Sequence, residues 1–191
     1  MRGASGEAGR GGDLGAGTGC SALGFWKWFL SPIDLSWEYG TEYFDLNNSP
    51  DVEVWATAIS RNPTNGRRII FRYAKELGSS FDRSVQPDRI IIVWKYVSEN
   101  GQPNPDEHSD MNQLEDALER ILKGSRLATL ALVSTGENLR EWTYYARSES
   151  VFIERLNQAL EDMPPFPIEI HTAHDPTWSM YSRFRSDNPK T

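Results

Sequence analysis

Residues 88–97 read DRIIIVWKYV, and this stretch decides the fold. Its unbroken apolar run, residues 90–94, is typical of a central strand that is buried on both faces. The order of elements over residues 88–173 is strand, helix, strand, strand, helix, strand, which is the ferredoxin-like or split βαβ arrangement. Hydrophobic periodicity predicts the later elements as a helix from near residue 109, strands at 127–135 and 139–146, a helix capped by Ser148, and a strand at 168–172.

The first of these helices has start and stop signals in the sequence. It is predicted to begin near Ser109 or Asp110, where Asp110 and Gln113 have the spacing of a capping box. Gly124 is expected to end it, because glycine readily adopts the left-handed conformation that follows many helices.

Two further strands are predicted upstream of this unit. Residues 52–60 and 67–75 have strand-like alternation, and the turn-forming residues 61–66 between them end in Asn-Gly. The two runs therefore form a hairpin. We expect a single α+β domain over residues 25–185, in which the ferredoxin-like βαββαβ unit is extended by an N-terminal β-hairpin and a short C-terminal helix.

Both ends of the chain are expected to lie outside the packed domain. Residues 1–24 are rich in glycine and hold almost nothing apolar, so they bury too little surface to offset the entropy of ordering. We predict a disordered Gly-rich tail there and a short tail at residues 186–191. Residues 25–49 carry many aromatic side chains, interrupted by Pro32 and Gly40. This pattern favours an irregular arm whose rings pack on the domain, and the alternative is an exposed aromatic patch.

Composition and charge argue against several classes of partner. The 191 residues include 27 acidic and 20 basic side chains, for a net charge of −7. An acidic domain repels phosphate backbones and anionic lipids, so no nucleic-acid or membrane partner is expected. The only cysteine, Cys20, cannot form an intrachain disulfide, which fits a reducing compartment and predicts a cytoplasmic protein. The apolar run at residues 22–30 is too short for a transmembrane helix.

No known catalytic or cofactor motif is present. The sequence has no Gly-x-Ser-x-Gly elbow, no phosphate-binding glycine loop and no cysteine in the predicted domain, so no cofactor is expected. Metal chemistry has one candidate group, since two imidazoles and a carboxylate can hold a catalytic metal: His171, His174 and Asp175. Because His171 lies in a strand and His174 lies past its end, the two need not converge, and no metal site is expected.

The segment after the last strand combines a carboxylate with large rings. Asp175-Pro176 is typical of the N-cap and first residue of a short helix, and Trp178 and Tyr181 follow on one side of it. An exposed Trp and Tyr beside a carboxylate would suit ligand or peptide recognition. The alternative is a helix cap with two rings that dock on the domain, and it is favoured because the Asp-Pro pair already explains the carboxylate.

A second candidate surface lies in the sheet. Arg140, Trp142 and Tyr144 share one face of their strand, and Trp94 and Tyr96 share a face of the adjacent central strand. We expect these aromatic rings on the side of the sheet that the two helices leave free, where the N-terminal arm and the hairpin would cover them as a second small core. RNA-binding sheets also present rings there, but the Gly-aromatic signature of those sheets is absent and the net charge has the wrong sign.

Five short pieces of sequence, in a fixed order, support a family resemblance. They are LED at 114–116, TG at 135–136, REWTYY at 140–145, PIEI at 167–170 and DPTWSMY at 175–181. With them, residues 50–185 resemble the bacterial family called domain of unknown function 695, and the most specific piece is Asp-Pro-x-Trp-x-x-Tyr. Some members are similar in architecture to a regulator of ribonuclease activity, which acts by binding the enzyme. The present chain lacks the very acidic tail of that regulator.

These observations predict a non-catalytic cytosolic module for protein interaction or regulation, with a protein partner. Arg140 is expected to anchor an anionic group, and Asp175 to order the terminal helix. The rings of Tyr144, Trp178 and Tyr181 would supply contact area. Two alternatives stay open, a metal-dependent hydrolase that uses the histidine pair with Asp175, and a sensor that binds a small ligand between the sheet and the aromatic arm.

Overall fold

The computed structural model describes residues 51–187 and the backbone of residues 37–40. The predicted disordered tail at residues 1–24 therefore lies outside the described residues. The same holds for the aromatic arm apart from residues 37–40, and for the end of the predicted C-terminal tail.

Residues 37–40, expected to belong to an irregular arm, form a strand, and residues 51–187 form strands and helices in the predicted order. No helix among them is long and apolar enough to cross a membrane. The strands are β1 (Trp37–Gly40), β2 (Val52–Arg61), β3 (Arg68–Leu77), β4 (Asp88–Lys95), β5 (Ala128–Gly136), β6 (Leu139–Ala146) and β7 (Ile168–His174). The α-helices are α1 (Pro105–Leu122), α2 (Glu149–Leu160) and α3 (Ser179–Asp187), and a 3-10 turn spans Arg83–Val85.

The strands form one antiparallel sheet in the order β1-β2-β3-β5-β6-β4-β7. Within it, β4 to β7 and their two crossover helices make the βαββαβ unit, with strand order β5-β6-β4-β7. The hairpin β2–β3 continues the sheet beyond β5. The predicted fold class, an α+β ferredoxin-like unit with an N-terminal hairpin and a short C-terminal helix, is confirmed.

The start of α1 differs from the prediction. Asn104 caps the helix, since its side chain accepts a hydrogen bond from the Glu107 N–H at 2.9 Å and the Glu107 carboxylate accepts from the Asn104 N–H at 3.2 Å. Pro105 is the first helical residue, a position where its missing N–H costs nothing. The expected capping box at Asp110 and Gln113 is wrong, because both residues lie inside the helix. A proline also occurs in loops, so the sequence pattern alone favours a later beginning.

The other helix ends are closer to expectation. Gly124, with φ of +73°, follows the end of α1, and Ser148 caps α2, as predicted. The expected start of the terminal helix at Asp175 is wrong, because α3 begins at Ser179. Residues 175–178 instead form a turn closed by a hydrogen bond from the Trp178 N–H to the Asp175 carbonyl at 3.0 Å.

The main core lies between the sheet and the helices α1 and α2. The expected position of the sheet rings on the helix-free side is therefore wrong, because they lie in this core. Period-two alternation shows which residues share a face, but it does not show which face the helices cover. The core joins the rings Trp94, Tyr96, Trp142 and Tyr144 to the helix residues Met111, Leu114, Leu118, Phe152 and Leu156.

On the opposite side of the sheet, α3 packs against β3. Phe184 of α3 lies with its ring centroid 5.3 Å from those of both Phe71 and Tyr73. The guanidinium of Arg185 donates a hydrogen bond to the Lys75 carbonyl at 2.9 Å. The short C-terminal helix is thus joined to the N-terminal hairpin.

A tight approach between β3 and β5 depends on Gly136. Glu137 and Asn138 form the two-residue turn between β5 and β6, with φ of +53° and +65°, as a type I′ hairpin requires. Gly136 precedes this turn, at the end of β5, with φ of +154°. A Cβ atom there would lie 2.6 Å from the Arg68 carbonyl oxygen and 2.9 Å from the Ile69 Cα.

We expect Gly136→Ala to lower the free energy of unfolding by about 3 kcal/mol, because backbone strain and a backbone clash add. Gly66→Ala is the matched control, since Gly66 has φ of +72° but open space around the Cβ position. That substitution should cost only about 1 kcal/mol. Urea denaturation measures both, and equal losses in the two variants would contradict the clash.

Candidate functional site

The carboxylate of Asp175 lies inside the protein and holds the start of α3. It accepts hydrogen bonds from the N–H groups of Ser179 at 2.7 Å and Met180 at 3.2 Å, and from the hydroxyl of Tyr145 at 2.9 Å. Burial by itself raises the pKa of Asp175, but these N–H donors outweigh it and hold the pKa below its ordinary value. Asp175 therefore caps α3, although it precedes the first residue of that helix, Ser179, by four positions.

The rings of Trp178 and Tyr181 complete the attachment of α3. Trp178 stacks on Tyr145 with ring centroids 4.0 Å apart, and its indole N–H donates to the Gln86 carbonyl at 2.9 Å. The Tyr181 hydroxyl donates to the Ala74 carbonyl of β3. Trp178 adopts φ of +53°, a strained conformation for a large side chain, which these contacts maintain. We call Tyr145, Asp175, Trp178 and Tyr181 the terminal clamp.

Arg140 belongs to a buried ion cluster on the other side of the sheet. Its guanidinium donates to the Glu115 carboxylate of α1 at 2.8 Å, and the indole N–H of Trp142 donates to the same oxygen at 2.8 Å. Arg72 of β3 pairs with the second oxygen of Glu115. Burial raises the pKa of Glu115, but Arg72 and Arg140 outweigh it and keep the pKa below its ordinary value. Arg72, Glu115, Arg140 and Trp142 are called the ion cluster below.

The structure thus places all five predicted site residues in the interior. Arg140, Tyr144, Asp175, Trp178 and Tyr181 are between 0% and 6% exposed. Tyr144 packs on Phe152 of α2, with ring centroids 5.2 Å apart. Arg140 and Tyr144 lie on the helix side of the sheet, and the other three lie in the terminal clamp. Their direct contact with a partner stays a prediction, and the structure assigns them contacts within the fold.

The predicted histidine group does not converge. His171 and His174 are an odd number of residues apart in β7, so their side chains lie on opposite faces of the sheet. His174 contacts Asp88 at 2.9 Å, His171 lies 3.7 Å from Glu169, and Asp175 belongs to the terminal clamp. Within residues 51–187 no three metal-ligating side chains lie together.

Glu141 is a buried acid that the sequence did not single out. It lies in β6 at 6% exposure, and the hydroxyl of Ser134 donates a hydrogen bond to its carboxylate at 3.2 Å. Burial raises the pKa of Glu141 to about 7. The alternation of β6 would have shown that it faces away from Arg140 and Trp142, but not that this face is covered.

The outer edge of β7 offers backbone groups for pairing. In the described sheet β7 is the terminal strand next to β4. The Asp175 N–H donates to the Pro87 carbonyl at 2.7 Å, which continues the ladder between β7 and β4. Bonded and non-bonded pairs alternate in such a ladder, so the odd-numbered residues of β7 direct their backbone groups to β4. The N–H and C=O groups of Ile170, Thr172 and His174 therefore point outward.

This edge lacks the features that commonly guard a terminal strand. Its sequence, IEIHTAH, has no proline, lysine or arginine, and its register with β4 runs without a bulge. The side chain of Ile170 is 37% exposed. Glu169 pairs with Lys95 of β4 at 2.6 Å, and this hydrogen bond holds the pKa of Glu169 below its ordinary value.

The helix α2, which precedes β7 in the chain, is mainly acidic. The Glu149 N–H at the start of α2 donates to Asp88 at 3.0 Å, and Asp88 faces His174 of β7 in the sheet. The first turn of α2 therefore lies beside the end of β7. From residue 149 to residue 162 the acidic side chains are Glu149, Glu154, Glu161 and Asp162, against a single basic one, Arg155.

Comparison with known proteins supports the predicted resemblance. The family described as "Family of unknown function (DUF695)" matches residues 53–185, which is most of the described domain. The resemblance predicted for residues 50–185 is confirmed. No curated protein matches the chain.

We expect Glu115→Gln to lower the free energy of unfolding by about 3 kcal/mol, because it leaves Arg140 buried without its carboxylate. The matched control is Asp116→Asn on the exposed face of α1, which should change stability by less than about 0.5 kcal/mol. Urea denaturation of both variants tests this. A loss no larger than that of the control would show that the ion cluster contributes nothing to stability.

The raised pKa of Glu141 predicts a pH-dependent loss of stability. Folded Glu141 keeps its proton up to about pH 7, whereas in the unfolded chain it loses the proton near its ordinary pKa of 4.5. The unfolded state therefore binds fewer protons over this window, and stability falls as the pH rises. The free energy of unfolding of the unmodified protein should fall relative to Glu141→Gln by about 3 kcal/mol between about pH 4 and pH 8. Parallel stability curves for the two proteins would contradict the shift.

Proposed function

The chain belongs to the DUF695 family, and we propose that it is a non-catalytic protein-interaction or regulatory module that binds an extended segment of a partner protein along β7. The segment adds to the sheet as a further strand. The outward backbone groups of Ile170, Thr172 and His174 are the observation that carries this proposal. Strand addition is a common mode of peptide recognition, in which main-chain hydrogen bonds supply the affinity.

The edge is held in its binding conformation before a partner arrives. Every residue of β7 pairs with β4, and the chain that leaves β7 is anchored at once by Asp175 and Trp178 of the terminal clamp. A strand that is paired along its length and anchored where the chain leaves it loses little conformational entropy when a segment adds to it. This favours binding, since the ordering of flexible groups is a main cost of association.

The side chains along the edge indicate what kind of segment fits. Ile170, Thr172 and Ile168 line one face, and an apolar residue opposite Ile170 would cover its exposed surface. The acidic side chains of α2 and the net charge of −7 favour a segment that carries lysine or arginine. Such complementarity speeds encounter and selects among partners more than it adds affinity.

In this proposal the five predicted site residues act through the fold. Asp175, Trp178 and Tyr181 fix the chain at the end of β7, so they position the edge without touching the segment. Arg140 and Tyr144 hold β6 against α1 and α2. Placement in the bacterial cytoplasm is also part of the proposal, and it rests on the lone Cys20 and on the resemblance to a bacterial family.

Titration with a short peptide tests the proposal. A nine-residue peptide that alternates valine and lysine should shift the amide NMR signals of Ile170, Thr172 and His174 and slow the exchange of their protons. Thr172→Pro removes an outward N–H without removing a bond to β4, so it should weaken binding about tenfold. Ile170→Lys places a charge on the edge and should weaken binding similarly.

Three comparisons make this test specific. Val97→Lys changes an apolar residue that is 91% exposed and lies outside β7, and it should leave binding unchanged. A peptide that alternates valine and glutamate should bind more weakly than the lysine peptide. If the three amides are instead protected without peptide as the protein concentration rises, the edge binds a second copy of the chain and the proposed partner is wrong.

A further inference from the structure

A second site lies beyond the end of β3, beside the start of β4. A cavity of about 190 Å³ opens between the loop that follows β3 and the turns before β5 and after β6. The loop contributes Asp82 and Gln86, and the turns contribute Arg126 and Arg147. Asp51, just before β2, also lines the cavity, and Phe81 and Val85 supply an apolar part.

Gln86 brings a buried hydrogen-bond acceptor to this cavity. Its side chain is 1% exposed, and its amide nitrogen donates to the Arg126 carbonyl at 3.3 Å. Because a carbonyl only accepts, this contact fixes the orientation of the amide. The Gln86 Oε1 atom then has no hydrogen-bond donor among the described residues. A buried acceptor without a donor is costly, so a ligand N–H here would be favourable.

The charged groups around the cavity are balanced. The guanidinium of Arg126 lies 3.9 Å from one oxygen of the Asp51 carboxylate, and the Thr129 hydroxyl lies 3.5 Å from the other. One oxygen of Asp82 accepts from the N–H and hydroxyl of Ser84. The cavity thus presents two cations and two anions with the neutral amide of Gln86 between them.

We propose that this cavity binds a free α-amino acid with a small side chain, such as L-alanine or L-serine. The ligand carboxylate pairs with Arg147 and Arg126, since guanidinium groups match carboxylates in geometry and charge. The ligand ammonium donates to Gln86 Oε1 and to the carboxylate of Asp51 or Asp82. A zwitterion satisfies both sets of groups at once, whereas phosphate would face two carboxylates and an apolar ligand would leave the buried Gln86 Oε1 atom without a donor.

The volume agrees with a ligand of this size. At about 30 Å³ for each water molecule, the cavity has room for about six, which is close to the number of non-hydrogen atoms in alanine or serine. Pockets for drug-sized ligands are larger, from about 300 Å³. The apolar groups of Phe81 and Val85 give a short side chain a surface to contact.

Calorimetric titration of the full chain tests this site independently of the β7 edge. L-Alanine or L-serine should bind with saturation and raise the melting temperature. Propionate has only the anionic group and isopropylamine only the cationic one, so each should bind at least about tenfold more weakly than alanine. Arg147→Ala, which removes an exposed side chain, should weaken alanine binding about tenfold or more.

The control variant is Arg155→Ala, which removes an exposed arginine of α2 and should leave binding unchanged, since Arg155 does not line the cavity. Equal binding of propionate and alanine would show an anion site and overturn the proposal, as would saturable binding of inorganic phosphate in place of alanine. Absence of heat and of a melting shift with alanine, serine and glycine at about 10 mM would also overturn it. Unchanged alanine binding by Arg147→Ala would place the ligand elsewhere.

Discussion

The two ion pairs that Glu115 forms with Arg72 and Arg140 are the constraint on which the arrangement of this fold depends. Glu115 lies on α1, Arg72 on β3 and Arg140 on β6, and β3 and β6 flank β5 in the sheet. One buried carboxylate therefore ties the N-terminal hairpin, the ferredoxin-like unit and its first helix together. A charge buried among apolar side chains is tolerated only when paired, so the sheet and α1 have one register in which all three charges are satisfied.

The two faces of the sheet are then covered by different means. On the helix side, the ion cluster sits beside a continuous apolar core. On the other side, α3 is attached by hydrogen bonds from Trp178 to the Gln86 carbonyl and from Tyr181 to the Ala74 carbonyl. Because the terminal clamp follows β7 directly, it also fixes the end of that strand. The outer edge of β7 is consequently held in place by β4 and by the terminal clamp, although it is bonded on one side only within the described sheet.

Much of this fold was predictable, because element order and strand pairing follow from local patterns. The errors share one physical origin. The periodicity of a strand or helix shows which of its residues share a face, but it does not show how that face is oriented relative to the rest of the molecule. The sequence pattern correctly predicted the residues that share a face with Trp94 and with Trp142, but α1 and α2 cover the face on which both rings lie. Asn104 and Asp175 show the same limit at helix ends, since a cap bonds to N–H groups whose positions depend on the chain that follows.

The candidate site was harder to predict, because the residues that stand out in a sequence are unusual side chains. Large rings and an arginine are conspicuous, yet large apolar groups are usually buried, and here they are. Glu115 left a clearer signal, as a carboxylate four residues after Met111 on the apolar stripe of a helix. The β7 edge leaves almost no signal in the sequence, because its outward hydrogen-bonding groups belong to the main chain, which is the same in every sequence. Strand order reveals such an edge, and only the absence of lysine and proline marks it in the sequence.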